Sequence, residues 1–320
     1  MLPYWLFLIY YFYGIPMILL YIAIIYVLLK HREIFSSVFY TLVAVFGIQH
    51  IVYYIICQYT LRGPTNLWAY QKFFSNLEGF SARLHAFLLF LRISIELNAV
   101  SCTIVLALNR CSSVLYPFSH ERAWRKLLPF LFGFFILLPI VMYGYINLNK
   151  GILLCARRGD ELFGCLLSYD HSVTWNGKLS VSGTSRYIYT IVPCVSGVLN
   201  CIALGLLYSR KKALKSHKTW RQEINLTVSS FLMFLVHIGY GIMNMIMLNY
   251  YINGDLVIPV AFCGIGVPLV FDFAMAVTIT SLLVASKPLR RKVFILLLLP
   301  WNQRRHTITN SVLASSSVKR

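Results

Sequence analysis

Charge is what this sequence has least of. Only 12% of its 320 residues are Asp, Glu, Lys or Arg, and the acids number ten; a soluble domain carries about 25% charged residues. With 58% hydrophobic residues, a water-soluble fold of this length would hold more apolar surface than one core can hide, so the excess must face lipid. Metal chemistry is poorly provided for. The cysteines form no C-x-x-C pair and no Cys/His cluster at zinc spacing, so no metal site or cofactor is expected. Cys57, Cys102, Cys194, Cys201 and Cys263 lie in apolar runs, as small buried side chains do. A cleavable leader is not expected either. No basic residue precedes Lys30, no small-residue cleavage site follows, and the first apolar run is too long for a signal peptide. It reads as an uncleaved first span. Internal repeats and a soluble domain are also lacking, and the few residues before Trp5 are too short a tail to bind a ligand.

What is present is seven apolar stretches: Trp5–Leu29, Val38–Tyr59, His85–Leu108, Leu127–Asn147, Tyr187–Tyr208, Ile224–Leu248 and Leu256–Val284. Each has about the 20 residues a helix needs to cross a bilayer. The predicted fold class is therefore an all-α membrane protein, a bundle of seven transmembrane helices over residues 1–285 with a tail over 286–320. The net charge of +19 does not point to nucleic acid, because the Lys and Arg residues sit in short clusters between apolar stretches. Their expected partner is the anionic face of the lipid bilayer. Counted by side, 20 of the 29 Lys and Arg residues fall with Lys30, Arg110, Lys211 and Arg290. Eight fall opposite, with Arg62, Lys72, Arg83 and Lys150, and Arg92 lies inside the third span. The positive-inside rule then predicts a plasma-membrane protein with an extracellular N-terminus and a cytoplasmic C-terminus. The Asn225-Leu226-Thr227 sequon falls on the cytoplasmic side and is not expected to carry sugar. After span seven, Ser286-Lys287-Pro288-Leu289-Arg290-Arg291-Lys292 leads into Val293–Leu299. That apolar run reaches only about 10 Å as a helix, so it predicts a short helix lying in the interface and ending at Pro300. Thr307–Arg320, rich in Ser and Thr, is expected to be disordered.

Several polar residues sit inside these spans, where each costs about 2.5–3.5 kcal/mol or more unless paired. Arg92 and Glu96 are four apart on one face of span three and can neutralise each other; Asn98 follows. They serve either a ligand pocket or helix packing. Asp272 stands midway along span seven, four residues after Pro268, which is expected to kink the helix. Its role is a switch or ion site, or packing against a polar neighbour. His50 and His237 are lone histidines, better suited to hydrogen-bonded core positions than to metal ligation. Cys155 and Cys165 share one outer loop on the oxidising side and can close it, with Cys57 as the rival partner.

At the inner end of span three the chain reads Leu108-Asn109-Arg110-Cys111-Ser112-Ser113-Val114-Leu115-Tyr116-Pro117. An Arg at this boundary with Pro117 seven residues later resembles the Asp-Arg-Tyr…Pro motif of G-protein-coupled receptors. An Arg at any inner helix end also snorkels to lipid phosphate. Asn109 stands where that motif has its acid, so the local ion pair restraining the Arg is missing. Span seven lacks a rhodopsin-type Asn-Pro-x-x-Tyr, and Arg83-Leu84-His85-Ala86 offers no cysteine at the start of span three. With Phe118-Ser119-His120-Glu121 and Trp124-Arg125-Lys126-Leu127-Leu128-Pro129, the stretch is similar to serpentine receptor class gamma of nematodes, and nearly as close to class V. Glu223-Ile224-Asn225-Leu226-Thr227 and Ser286-Lys287-Pro288-Leu289-Arg290 fit as well. The resemblance implies a chemosensory receptor on a sensory neuron. It would bind an external small molecule or peptide among its helices and couple to a heterotrimeric G protein through Asn109, Arg110 and Pro117. The rivals are a secondary transporter, which usually shows inverted repeats, and a seven-span hydrolase, which needs more His and Asp on facing helices than occur here. No enzymatic chemistry is expected.

Overall fold

A computed structural model describes residues 4–75, 78–116, 118–158, 161–173, 181–209, 217–253 and 262–298. It holds seven helices long and apolar enough to cross a membrane. In chain order they are α1 (Tyr4–Lys30), α2 (Val38–Cys57), α3 (Gly79–Leu115), α4 (His120–Tyr143), α5 (Val181–Ser209), α6 (His217–Ile252) and α7 (Val267–Ala285), followed by a short α8 (Lys287–Leu298). Helices are the outcome lipid imposes, because hydrocarbon offers backbone N–H and C=O groups no other partner. Polar residues place one start. Ser37 Oγ accepts the Phe39 N–H at 3.3 Å, and Glu121 of α4 accepts the Val38 N–H at 2.9 Å. The acid thereby ties α4 to the positive end of α2.

The middle of the bundle belongs to α3. Of its most apolar window 67% is buried, against 17% for α4, and α3 packs on α2, α4, α5 and α6. Its 37 residues reach about 55 Å, well beyond a hydrocarbon core of about 30 Å. Helix α4 turns Phe130, Ile136, Leu137 and Val141 outward, exposed as side chains facing lipid are. At one end α8 lies against α1 and α7 and buries Leu289 and Val293. There Arg290 Nη1 donates to the Leu283 carbonyl at 3.1 Å, satisfying an end of α7. The short helix after span seven is thus present. Pro300 and Thr307–Arg320 lie outside the described residues.

The opposite end carries an element that span-length hydropathy does not signal. Strands β1 (Gly151–Arg158) and β2 (Glu161–Tyr169) pair antiparallel with Cys155 opposite Cys165, and the two cysteines are bonded. The hairpin lies directly on α3. A Cβ at Gly151 would stand 2.8 Å from the Ala82 carbonyl oxygen and 2.8 Å from His85 Cβ, so only glycine permits the approach. Span seven also differs from expectation. A π-helical stretch, Phe262–Gly266, passes into α7, and Pro268 occupies the first turn of the α-helical part rather than interrupting it. The irregularity is a change of helix type ahead of the proline, which suits a helix start.

Candidate functional site

Two groups of buried polar side chains lie toward the hairpin end. The first surrounds Glu96 of α3. Arg92 sits one turn away, Nη1 to Oε2 3.7 Å, and the pair is 15% and 6% exposed. The Tyr240 hydroxyl from α6 donates to Glu96 Oε1, and Tyr189 of α5 also bonds the carboxylate. Rings enclose this acid. Tyr189 meets Tyr240 edge-on at 5.2 Å, Tyr240 meets Phe271 at 4.8 Å, and Phe271 stacks on Tyr53 at 4.2 Å. Thus α2, α3, α5, α6 and α7 all contribute to one aromatic box with a single carboxylate in its wall. Close approach of α5 and α6 makes it possible. A Cβ on Gly241 would fall 2.2 Å from the Tyr189 carbonyl oxygen, so the small residue beside Tyr240 brings the two tyrosines together.

The second group is built on Asp272. Its carboxylate receives Nη2 of Arg62, from a π-helical turn (Gln58–Arg62) that extends α2, and the hydroxyl of Tyr13 from α1. The Arg62 guanidinium lies over the Tyr10 ring at 3.8 Å, and the Tyr54 hydroxyl donates to the Tyr10 carbonyl at 2.8 Å. Charge counting puts Arg62 among the cations of an outer loop; its side chain is instead 1% exposed. Extension of α2 by the π turn carries it inward, and an acid in hydrocarbon demands a cation. Phe271 borders the aromatic box while Asp272, about 100° further round the helix, pairs with Arg62. One turn of α7 therefore serves both groups. Close by in sequence, both polar atoms of the Gln58 amide are buried and meet no hydrogen-bond partner among the described residues.

Other sequence candidates are placed elsewhere. Asn98 points to α4, where its Nδ2 donates to the Phe135 carbonyl at 3.0 Å. That carbonyl is open to it because Pro139, four residues on, has no N–H to give. Asn98 thus repairs the helix of α4 and stands apart from the box. His237 bonds the Met233 carbonyl of its own helix at 2.8 Å, and His50 meets the Tyr21 hydroxyl at 3.1 Å. Neither belongs to a group of three metal-binding side chains among the described residues. The sequence signal for Arg62 is weak: a lone cation at the end of span two and a lone acid in span seven.

At the α8 end, Arg110 is folded into the bundle, 2% exposed. Its Nη2 donates to Asn109 Oδ1 at 2.6 Å, and its guanidinium lies over the Phe39 ring of α2 at 4.3 Å. An amide oxygen and an aromatic face hold the cation where the acid is missing. Asn109 is in turn beside His120, whose ring meets Ser112 Oγ at 3.1 Å, and Trp124 Nε1 donates to the same oxygen at 2.8 Å. Pro117 lies outside the described residues. About 21 Å of one helix separates Arg110 from Glu96.

The family model described as "Srg family chemoreceptor" matches residues 7–293. The chain is also similar to serpentine receptor class gamma-9 of Caenorhabditis elegans, 29% identical over 212 residues. That match covers 63% of this chain and 59% of the relative, so the chain spans less than two thirds of the relative's length.

Proposed function

This chain belongs to the Srg family of chemoreceptors, and from that premise we propose that it is a G-protein-coupled receptor for an external chemical. The N-terminus and the β-hairpin face outward, and α8 and the basic loops face the cytoplasm of a sensory neuron. The ligand enters the aromatic box. Aromatic faces supply apolar contact, while Glu96 and Arg92 offer an acceptor and a cation of fixed spacing for a small polar group. A ligand group that takes over the Glu96 carboxylate frees the Tyr240 hydroxyl, which loosens α6 from α3. The arrangement in which α6 has moved binds that ligand more tightly, and differential affinity is what shifts the populations. At the other end, Arg110 leaves Asn109 and Phe39 and engages the G protein. The same rigid helix carries Glu96 and Arg110, so rotation or translation of α3 reaches both. No step involves bond making, and no enzymatic activity is proposed.

The observation that carries this reading is the buried Glu96 carboxylate bonded to tyrosines of two other helices. Its test is expression in a reporter cell, a screen of volatile and water-soluble odorants, and repetition with two variants. Glu96→Gln should raise the concentration needed for half-maximal response by about ten-fold or more, the loss of one charged hydrogen bond of about 1.5–3 kcal/mol. Arg110→Ala should abolish signalling while leaving the receptor at the cell surface. Ligand-driven signalling that survives Arg110→Ala, or substrate flux without signalling, would overturn the proposal.

A further inference from the structure

A cavity of ≈ 520 Å³ lies at the α8 end between α1, α2 and α4, far from the aromatic box. Its walls are mostly apolar, formed by Leu28 and Leu29 of α1, Val45 and Ile48 of α2, and Leu128 of α4, with Thr41 among them; Arg32 and Arg125 stand at its rim. From Val38 to Ile48 the axis of α2 rises about 15 Å, which is half of a hydrocarbon core of about 30 Å. The cleft therefore has the depth of one leaflet and two cations at headgroup level. Arg125 is aimed by the protein: Nη2 donates to the Ser36 carbonyl at 3.3 Å and Nε lies 3.5 Å from Glu121 Oε1. Glu121 faces this rim and is engaged by Arg125 and by the Val38 N–H, and Glu33, next to Arg32 in sequence, lies 3.5 Å from His31 Nδ1. The rim keeps an excess of positive charge.

We propose that the cleft binds one anionic glycerophospholipid, its phosphate between Arg32 and Arg125 and one acyl chain along α2. Basic pockets between spanning helices recognise acidic headgroups in this way. Residues 299–320 of the chain hold four Lys and Arg and no acid, so the protein's own tail offers the rim no side-chain carboxylate. A zwitterionic headgroup brings an ammonium against the arginines, and a sterol has only a hydroxyl to offer them. This inference is independent of the ligand and of G-protein coupling.

The test is native mass spectrometry of the purified full-length chain in detergent, titrated with phosphatidylglycerol and with phosphatidylcholine of the same acyl chains. Each arginine contributes roughly five-fold to affinity for an acidic headgroup, so phosphatidylglycerol should be retained in preference, and Arg32→Gln with Arg125→Gln should weaken it by roughly 25-fold. Arg122→Gln with Lys126→Gln removes as much charge from the same end but outside the cleft, and should keep the preference. Thr41→Trp, which leaves both arginines in place and fills the groove, should reduce retention of either lipid; it keeps the test decisive if the arginine double variant fails to fold. Equal retention of the two lipids would overturn the proposal. So would equal loss in the Arg122/Lys126 variant, which means diffuse surface charge. A sterol displacing phosphatidylglycerol equally well with and without the two arginines would also overturn it.

Discussion

Asp272→Asn keeps the shape of a side chain and removes its charge, leaving Arg62 buried without a counter-ion. Arg62 is 1% exposed and Asp272 9%, so water cannot take the missing role. Removing one partner of a buried pair costs about 3–5 kcal/mol. Tyr13, whose hydroxyl accepts from Arg62 at 3.5 Å, and the Tyr10 ring at 3.8 Å still favour the cation, which sets the expectation near the lower limit, about 3 kcal/mol. That is roughly a 150-fold drop in the folding equilibrium. Arg62→Met strands the acid instead and should cost about as much. The double variant Arg62→Met with Asp272→Leu strands neither charge and should recover most of the loss, because a well-packed apolar pair can replace a buried ion pair. Unfolding of detergent-solubilised receptor, followed by a thiol-reactive dye that reaches buried Cys57 and Cys102, gives the four corners of the cycle. Single variants as stable as the parent, or a double variant that merely adds the two losses, would refute the idea that this pair joins α1, α2 and α7.

Asn98→Ala should cost about 1–3 kcal/mol by leaving the Phe135 carbonyl unsatisfied, and Pro139→Ala, which restores the helix N–H, should recover part of it; odorant potency unchanged in the folded fraction checks that Asn98 stands apart from the box. Asn109→Ala should raise basal signalling severalfold in the reporter cell, since about 1.5–3 kcal/mol of restraint on Arg110 is lost, and a basal level equal to the parent's would show that the other contacts of Arg110, Phe39 among them, suffice. Gly151→Ala should displace the hairpin from α3, because its methyl group meets the Ala82 carbonyl, and faster proteolysis of the 151–169 loop in intact cells checks it.

Local chemistry makes part of the site legible in the order of residues. Arg92 and Glu96 fall on one face because they are four residues apart in a helix, and the pair forms as that spacing requires. Asp272 stands out because an acid in an apolar run is costly. Its partner does not, since 210 positions separate Arg62 from it and the π turn that carries Arg62 inward leaves no trace in hydropathy. Pro268 reads as a kink from its residue type alone, whereas its effect depends on the helix type before it. Asn98 groups with Glu96 by proximity along the chain, yet two residues on a helix turn the side chain to another neighbour. The hairpin is hidden because a window long enough to find a span averages two short strands away; two apolar runs flanking Gly159-Asp160 are the available sign.

How many helices are long and apolar enough to cross, and that a short one follows the last, can be read from the amino acids with no knowledge of their packing. Lipid sets that condition stretch by stretch, so composition along the chain is enough to meet it. Which polar groups meet is a different matter: Arg62 with Asp272, Tyr240 with Glu96, Asn98 with a carbonyl left open by Pro139. Those pairings come from the folded bundle alone, because they depend on the rotation and depth of each helix against its neighbours. Rotation and depth are set by the close approach of whole helices, as at Gly241 against Tyr189, and not by any residue taken singly.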